Sequence, residues 1–136
     1  MQGVTTALSG SGAFAVTFLV SLVLLAVFAA LYSAITSHSE MALIRAGNKT
    51  AALSFGGAII GFVIPVGKAV AQSTSLVDLV IWSAIAFVAQ CLGYGATTIL
   101  IPHLRKSVED DHVASGIMLT ALAIAIGMLN AAAMTL

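Results

Sequence analysis

The sequence predicts an all-α membrane protein whose four transmembrane helices form two tandem two-span hairpins. Three observations predict this fold class: the composition, the length of the apolar segments, and the placement of the few charges between those segments. Hydrophobic residues make up 60% of the 136 residues, and charged residues only 7%. Soluble domains carry about 25% charged residues, so this chain could not surround a globular core with a water-compatible surface.

Four segments are long and apolar enough to cross a bilayer. A hydrocarbon core of roughly 30 Å requires about 20 apolar residues in a helix. The segments that meet this requirement are residues 13–35, 50–72, 76–101 and 113–134. The first is much longer than the apolar region of a signal peptide, so we expect a retained helix, preceded by a polar Gly/Ser tail at residues 9–12. The sequence thus predicts a single transmembrane domain over residues 1–136.

The charges predict the orientation of the chain. Basic residues concentrate in the first and third loops, whereas the middle loop, residues 73–75, carries no charge. The positive-inside rule therefore places the first and third loops in the cytoplasm and both termini outside it. Within the first loop, residues 39–48 are expected to form a short interfacial helix capped by Ser39. A candidate surface for a cytoplasmic partner consists of Glu40, Arg45, Lys49, Arg105 and Lys106.

Small residues recur at helical spacing inside the spans. Helices in lipid associate through small side chains that let their backbones approach closely, so we expect these positions to form helix-packing seams. They are Ser54, Gly57, Ala58, Gly61 and Pro65 in the second span, Ala86 and Gly93 in the third, and Gly116, Ala123 and Gly127 in the fourth. Pro65 also predicts a kink, because it cannot donate to the carbonyl of Gly61. The first span lacks such a seam and is expected at the lipid-facing periphery.

Four of the polar side chains inside the spans are candidates for a functional role, and two interpretations of them stay open. They could hydrogen-bond to neighbouring helices, or they could line a water-filled path. These residues are Lys68, Gln90, Thr120 and Asn130. Lys68 lies near the end of its span, where it can extend to the interface and meet Asp78 across the short loop.

The two halves of the chain suggest a tandem repeat. A shift of 62 residues maps the seam of the second span onto that of the fourth, and His38 corresponds to His103 at a shift of 65. Few of the matched residues are identical. Two hairpins, each with a charged loop, nevertheless favour a parallel repeat of two spans each.

Several segments resemble a known family of bacterial inner-membrane proteins. They are residues 31–36 (LYSAIT), 48–52 (NKTAA), 61–65 (GFVIP) and 129–135 (LNAAAMT). With these segments the chain resembles the domain of unknown function 350 (DUF350) family of YjfL-type proteins. In this family each half is similar to a two-span unit with an Asn-x-x-Ala start to its second helix, whereas the second half here has Asp111-His112-Val113-Ala114. The resemblance implies a place among membrane-stress proteins beside peripheral partners, and it assigns no catalytic residues.

The sequence shows no pattern typical of an enzyme. It lacks a phosphate-binding loop, a nucleophile elbow and a zinc-protease motif, and its single cysteine cannot form an intrachain disulfide. His38, His103 and His112 with the loop acids would make at most a weak cation site, so no metal and no cofactor are expected. Zero net charge argues against a nucleic-acid partner.

Two functions remain as hypotheses. The first is a homo-oligomer in the inner membrane that forms a pore-like conduit linked to membrane or envelope stress, because a four-helix chain with Gly/Ala seams is too small to enclose a path alone. The alternative is a membrane-embedded scaffold or sensor, whose first and third loops recruit a peripheral cytoplasmic membrane-stress protein. A small-substrate transporter is disfavoured, since no charge lies at mid-span to couple transport to ions.

Overall fold

A computed structural model describes residues 2–36 and 40–135. Within these residues the chain is all-helical. The six helices are α1 (Gln2–Ile35), α2 (Glu40–Arg45), α3 (Lys49–Gln72), α4 (Leu76–Leu100), α5 (Leu104–Glu109) and α6 (Val113–Ala133). Four of them, α1, α3, α4 and α6, are long and apolar enough to cross a membrane. The predicted fold class is therefore confirmed.

Local sequence signals explain where the helices begin. The Asn48 side chain accepts a hydrogen bond from the amide of Ala51 and caps α3, and the Ser75 side chain caps α4 in the same way through Asp78. Gly47, with φ of +91°, makes the turn from α2 into α3. Three of the long helices begin and end within one residue of the expected segments.

The start of α1 differs from expectation. The helix begins at Gln2, so the Gly/Ser residues 9–12, expected to form a polar tail, are helical. Hydroxyl groups there bond back to carbonyls within the helix, as Ser9 does to Thr6 and Ser11 does to Leu8. This satisfies the polar groups without a partner helix. All side chains from 2 to 16 are exposed, which agrees with a peripheral position for α1.

Helices α3 and α6 form the closest pair in the bundle. Their contacts advance in step along both chains: Thr50 lies beside Gly116, Leu53 beside Thr120, and Gly61 beside Gly127. The two helices are therefore parallel, and the closest packing lies between the two predicted hairpins and not within either one. The halves share the order long helix, short helix, long helix, but the sequence repeat itself stays a prediction.

Two apolar clusters hold the remaining helices. The larger joins α1, α3 and α4 around Phe28, Phe62 and Leu79, and the rings of Phe28 and Phe62 stack with their centroids 4.1 Å apart. The smaller contains Ala51, Leu104, Val108 and Leu119, so it fixes α5 beneath α3 and α6. We call the end of the bundle with α2, α5 and the starts of α3 and α6 the basic end, and the opposite end with residues 73–75 the turn end.

Candidate functional site

A polar junction lies where α3, α4 and α6 meet inside the bundle. The Gln90 side-chain amide nitrogen donates a hydrogen bond to the carbonyl oxygen of Ala123, at 3.1 Å, and Gln90 is buried. A Cβ added at Gly61 would collide with that same carbonyl, and one added at Gly127 would collide with the carbonyl oxygen of Gly61. The glycines thus permit backbone-to-backbone contact, and the Gln90 amide lies in the same contact.

Pro65 adds to this junction. It is buried inside α3, and the helix continues through it. Proline has no N–H, so the Gly61 carbonyl lacks the amide donor that normally lies four residues later. The same carbonyl faces the backbone of Gly127, where close Cα–H contacts are available to it.

Three further contacts join α3 to α6. The Thr120 hydroxyl donates to the carbonyl oxygen of Leu53, at 2.6 Å. A Cβ on Gly57 would lie 2.6 Å from Cα of Thr120, and one on Gly116 would lie 2.9 Å from the carbonyl oxygen of Thr50. All ten residues of the expected packing seams are buried: Ser54, Gly57, Ala58, Gly61, Pro65, Ala86, Gly93, Gly116, Ala123 and Gly127.

The four polar candidates separate into two pairs. Gln90 and Thr120 both bond to backbone carbonyls of another helix in the same chain. The crevice beside Gln90, which Tyr32, Thr97 and Leu119 also line, is too narrow to admit a water molecule. Lys68 and Asn130 are half-buried near the turn end, and no ion pair joins Lys68 to Asp78, both of which the structure describes.

At the basic end, hydrogen bonds tie the two halves of the chain together. The Asn48 side chain, besides capping α3, donates to the carbonyl oxygen of Val108 at 2.7 Å. The Asp111 carboxylate accepts hydrogen bonds from the amide of Thr50, at 2.9 Å, and from its hydroxyl, at 2.7 Å. Asp111 therefore stabilises the start of α3, where the helix dipole favours a negative charge, while its own helix α6 has no side-chain cap.

These contacts alter the acidity of Asp111. The hydrogen bond from the Thr50 hydroxyl is the largest cause that lowers the pKa of this carboxyl group, and the Thr50 amide and the charge of Lys49 act in the same direction. Each favours the ionised form over the neutral one. Asp111 adopts a left-handed backbone conformation, with φ of +57°, which Asp tolerates better than most residues.

Glu40 requires a correction. It was expected on an exposed partner surface, but it is only 2% exposed. Its carboxylate accepts hydrogen bonds from the hydroxyls of Ser33 and Thr36, at 3.2 and 2.8 Å. The carbonyl of Thr36 in turn accepts from the Tyr94 hydroxyl of α4. Glu40 points inward because these hydroxyl donors satisfy its carboxylate in the buried position. Glu40 therefore ties the end of α1 to α2 and is not exposed to a partner. The expected cap, Ser39, lies outside the described residues.

The other four residues of the expected partner surface are exposed: Arg45, Lys49, Arg105 and Lys106. Arg105 pairs with Glu109 one turn later on α5, at 3.1 Å, and both side chains are well exposed. A pair of this kind adds little to stability and leaves the cations accessible. Among the described residues no three His, Cys, Asp or Glu side chains cluster as a metal site; His38 lies outside those residues.

Three residues that shape this end were not among the candidates that the sequence pattern indicates: Thr36, Thr50 and Asp111. A signal for Asp111 was present, since it takes the place of Asn48 in the pattern Asn-x-x-Ala, which here reads Asp111-His112-Val113-Ala114. The signal did not reveal that Asp111 serves the other helix, because that contact joins residues 61 positions apart.

Comparison with known proteins agrees with this architecture. The family model described as Domain of Unknown Function (DUF350) matches residues 5–134. The chain is 34% identical over 123 residues to the UPF0719 inner membrane protein YjfL of Escherichia coli (strain K12), covering 90% of this chain and 93% of the relative. It is 24% identical over 115 residues to the UPF0719 transmembrane protein YshE of Bacillus subtilis (strain 168), covering 83% and 86%. No solved structure matches significantly. The family resemblance is thereby confirmed, and the chain belongs to the DUF350 family of membrane proteins.

Proposed function

We propose that this protein is a scaffold in the bacterial inner membrane, which recruits a peripheral cytoplasmic partner at its basic end. One observation carries the proposal: Arg45, Lys49, Arg105 and Lys106 remain exposed on elements that hydrogen bonds hold in fixed relation. The name of the Escherichia coli relative supports the inner membrane. The positive-inside rule supports a cytoplasmic basic end, with both termini on the other side.

The interior of the bundle favours the scaffold hypothesis over a path for ions or solutes through a single chain. The side chains of Gln90 and Thr120 are engaged with backbone carbonyls. The seams bring backbones into contact at Gly61 and Gly127. Such an interior is typical of a rigid support, since no water-sized space accompanies the polar groups beside Gln90.

The charges define the chemistry of the partner. The basic end carries four exposed cations and the three acids of the third loop, and of these acids Glu109 pairs with Arg105 and Asp111 accepts hydrogen bonds from Thr50. An acidic patch on a peripheral protein, of the membrane-stress class that the family resemblance suggests, would complement this surface. Complementary charges of this kind raise association rates and weaken with added salt.

The test is site-specific photo-crosslinking in living cells. A photo-reactive residue at Ala46, which is exposed next to Arg45 at the basic end, should capture one soluble protein, whereas the same residue at Thr74 in the turn end should not. The double variant Arg105→Glu with Lys106→Glu should abolish capture, and the charge-conserving variant Arg105→Lys with Lys106→Arg should retain it. Crosslinks only to lipid or to further copies of this chain, or capture that survives charge reversal, would contradict the scaffold.

A second candidate is the homo-oligomeric conduit, with the path between protomers. Asn130 supports it, because this amide is half-buried in a spanning helix and makes no side-chain hydrogen bond within the described residues. An amide in lipid gains from a partner on another helix. Purified protein in liposomes should then pass ions, and Asn130→Leu should reduce the flux. Gln90→Leu is the matched control, because Gln90 bonds within one chain. Silent liposomes with intact oligomers would reject the conduit.

A further inference from the structure

An apolar groove runs between α1 and α3 in the half of the bundle next to the turn end. Its volume is about 300 Å³. Gly67 forms part of its wall, and a Cβ added there would meet no atom within 4 Å, so the groove is open at this point. The other lining residues are mainly large and apolar, among them Phe14, Phe18, Leu22, Phe62, Val66 and Val70.

The length of the groove matches one leaflet of a bilayer. At 1.5 Å per residue, the lining from Phe62 to Val70 covers about 12 Å along α3, and that from Phe14 to Leu25 covers about 16 Å along α1. Half of a hydrocarbon core of about 30 Å is about 15 Å. The groove therefore extends from the middle of the membrane to the boundary at the turn end.

A polar pocket of about 210 Å³ continues the groove at that boundary. Thr17 and Val70 line both cavities, so the two adjoin. The remaining wall of the second pocket includes the three consecutive hydroxyl residues Ser73, Thr74 and Ser75. Together the cavities are apolar at membrane depth and polar at the interface.

The Ser73 hydroxyl lacks a partner in this pocket. The backbone amide of Ser73 donates to the carbonyl of Ala69 at 2.7 Å and closes α3. Its Oγ atom is buried and makes no hydrogen bond within the described part of the chain. An unsatisfied buried polar group is costly, so this hydroxyl requires an acceptor that the described residues do not supply.

We propose that the two cavities form a binding site for one glycerophospholipid. An acyl chain occupies the groove beside Gly67, and the Ser73 hydroxyl, once its side chain rotates about χ1 into the polar pocket, donates to an ester carbonyl or phosphate oxygen at the head of that chain. A lipid presents apolar and acceptor groups in this order. A helix of a second copy would fill the groove, but its backbone acceptors are already used within the helix.

Native mass spectrometry of the intact protein in mild detergent tests the site, with phosphatidylglycerol and phosphatidylethanolamine added separately. The wild type should retain one lipid per chain. Gly67→Leu fills the groove and should lower the bound fraction at least fivefold, while Gly56→Leu, in the same helix but outside the groove, should not. Ser73→Ala should weaken binding between about twofold and tenfold, as expected for one hydrogen bond. Val70→Trp is a second groove-filling variant, should Gly67→Leu lose its helical circular dichroism.

Two results would overturn the site. One is lipid retention that is equal in the wild type and in both groove-filling variants. The other is a dimer that Gly67→Leu dissociates without changing the bound lipid, which would make a second copy the occupant. Neither result bears on capture of a partner at the basic end, so the lipid site and the scaffold fail independently.

Discussion

Helices α1 and α3 are both long and apolar, yet they differ in how many of their residues are buried in the bundle. Only two of the 34 residues of α1 are buried, Phe28 and Tyr32, against eleven of the 24 residues of α3. The difference lies in side-chain size. At its contacts with α6, α3 carries glycine, alanine and serine, while α1 between Phe14 and Leu31 offers mainly Phe, Leu and Val. Hydrophobicity thus brings a helix into the membrane, and small residues that face another helix place it at the centre of the bundle.

The two helices are also held by different interactions. α3 meets α6 through backbone contacts at Gly57, Gly61 and Gly127. α1 meets the bundle through stacked rings, chiefly Phe28 against Phe62, with Tyr32 edge-on to Tyr94. A contact between two backbones cannot accommodate an added methyl group. An aromatic contact that loses atoms leaves a space into which neighbouring side chains can move. Substitutions at the two kinds of contact are therefore expected to differ in their cost.

The largest effect is expected where backbones touch. Gly61→Ala or Gly127→Ala would drive a methyl group into a carbonyl of the facing helix, so α3 and α6 must separate. We expect each to lower the free energy of unfolding by about 3 kcal/mol, the upper end of overpacking effects, measured by sodium dodecyl sulfate titration in mixed micelles. Gly56→Ala in the same helix meets nothing within 4 Å and should be neutral. Equal effects at positions 56 and 61 would contradict the predicted backbone contact.

A smaller effect is expected for the aromatic contact of α1. Phe28 is buried and stacks on Phe62 at 4.1 Å between ring centroids. Phe28→Ala should cost about 2 kcal/mol, because it removes an aromatic pair worth about 1 kcal/mol and leaves a cavity that the surrounding side chains close only in part. The same titration gives the number. A loss as large as that of Gly61→Ala would show that α1 contributes as much as α6 to holding α3.

A still smaller and pH-dependent effect is expected for Asp111. Its pKa is lowered in the folded state by the hydrogen bonds from Thr50. Stability from this group is therefore fully present above the unfolded-state pKa of about 4 and is lost as the pH falls through the lower folded-state pKa. Asp111→Asn should reduce the melting temperature slightly at neutral pH, and the difference from wild type should narrow below pH 4. A difference that is constant with pH would exclude this linkage.

The smallest effect is expected in the first part of α1. Residues 2–16 are exposed, and Cβ atoms added at Gly10 or Gly12 would meet nothing within 4 Å. Leu8→Ala and Gly10→Ala should each change the free energy of unfolding by less than about 0.5 kcal/mol. A clear loss in the detergent-purified monomer would show that this segment packs against the bundle.

Much of the fold could be predicted from the sequence because local rules govern it. The length of apolar runs defines the four helices, and the helical spacing of small residues indicates the buried faces, as for Gly61 and Gly127. The same rules failed for residues 9–12, where Ser and Gly suggested a tail. Their hydroxyls bond within the helix, which satisfies them without leaving the helical conformation.

The candidate site was less predictable because it depends on which elements meet. Exposure of Arg45 and Lys106 follows from loop position and charge. Burial of Glu40 does not, since it requires the hydroxyls of Ser33 and Thr36 to converge on the same carboxylate. The hydrogen bonds from Thr50 in α3 to Asp111 likewise require that the starts of two helices distant in sequence lie side by side. No local pattern specifies this.

The parallel arrangement of α3 and α6 has a consequence for biogenesis. Partners that lie in parallel cannot be joined by a tight turn, and here a third span and α5 separate them in the chain. Chains are synthesised from the N-terminus at roughly 5–20 residues per second. Until α6 has been synthesised, the glycine face of α3, which contains Pro65, has no packing partner in the nascent chain. The α3–α6 contact therefore forms only after α6 is synthesised. If the ribosome stalls before α6, the small-residue face of α3 stays unpacked and depends on the insertion machinery to cover it.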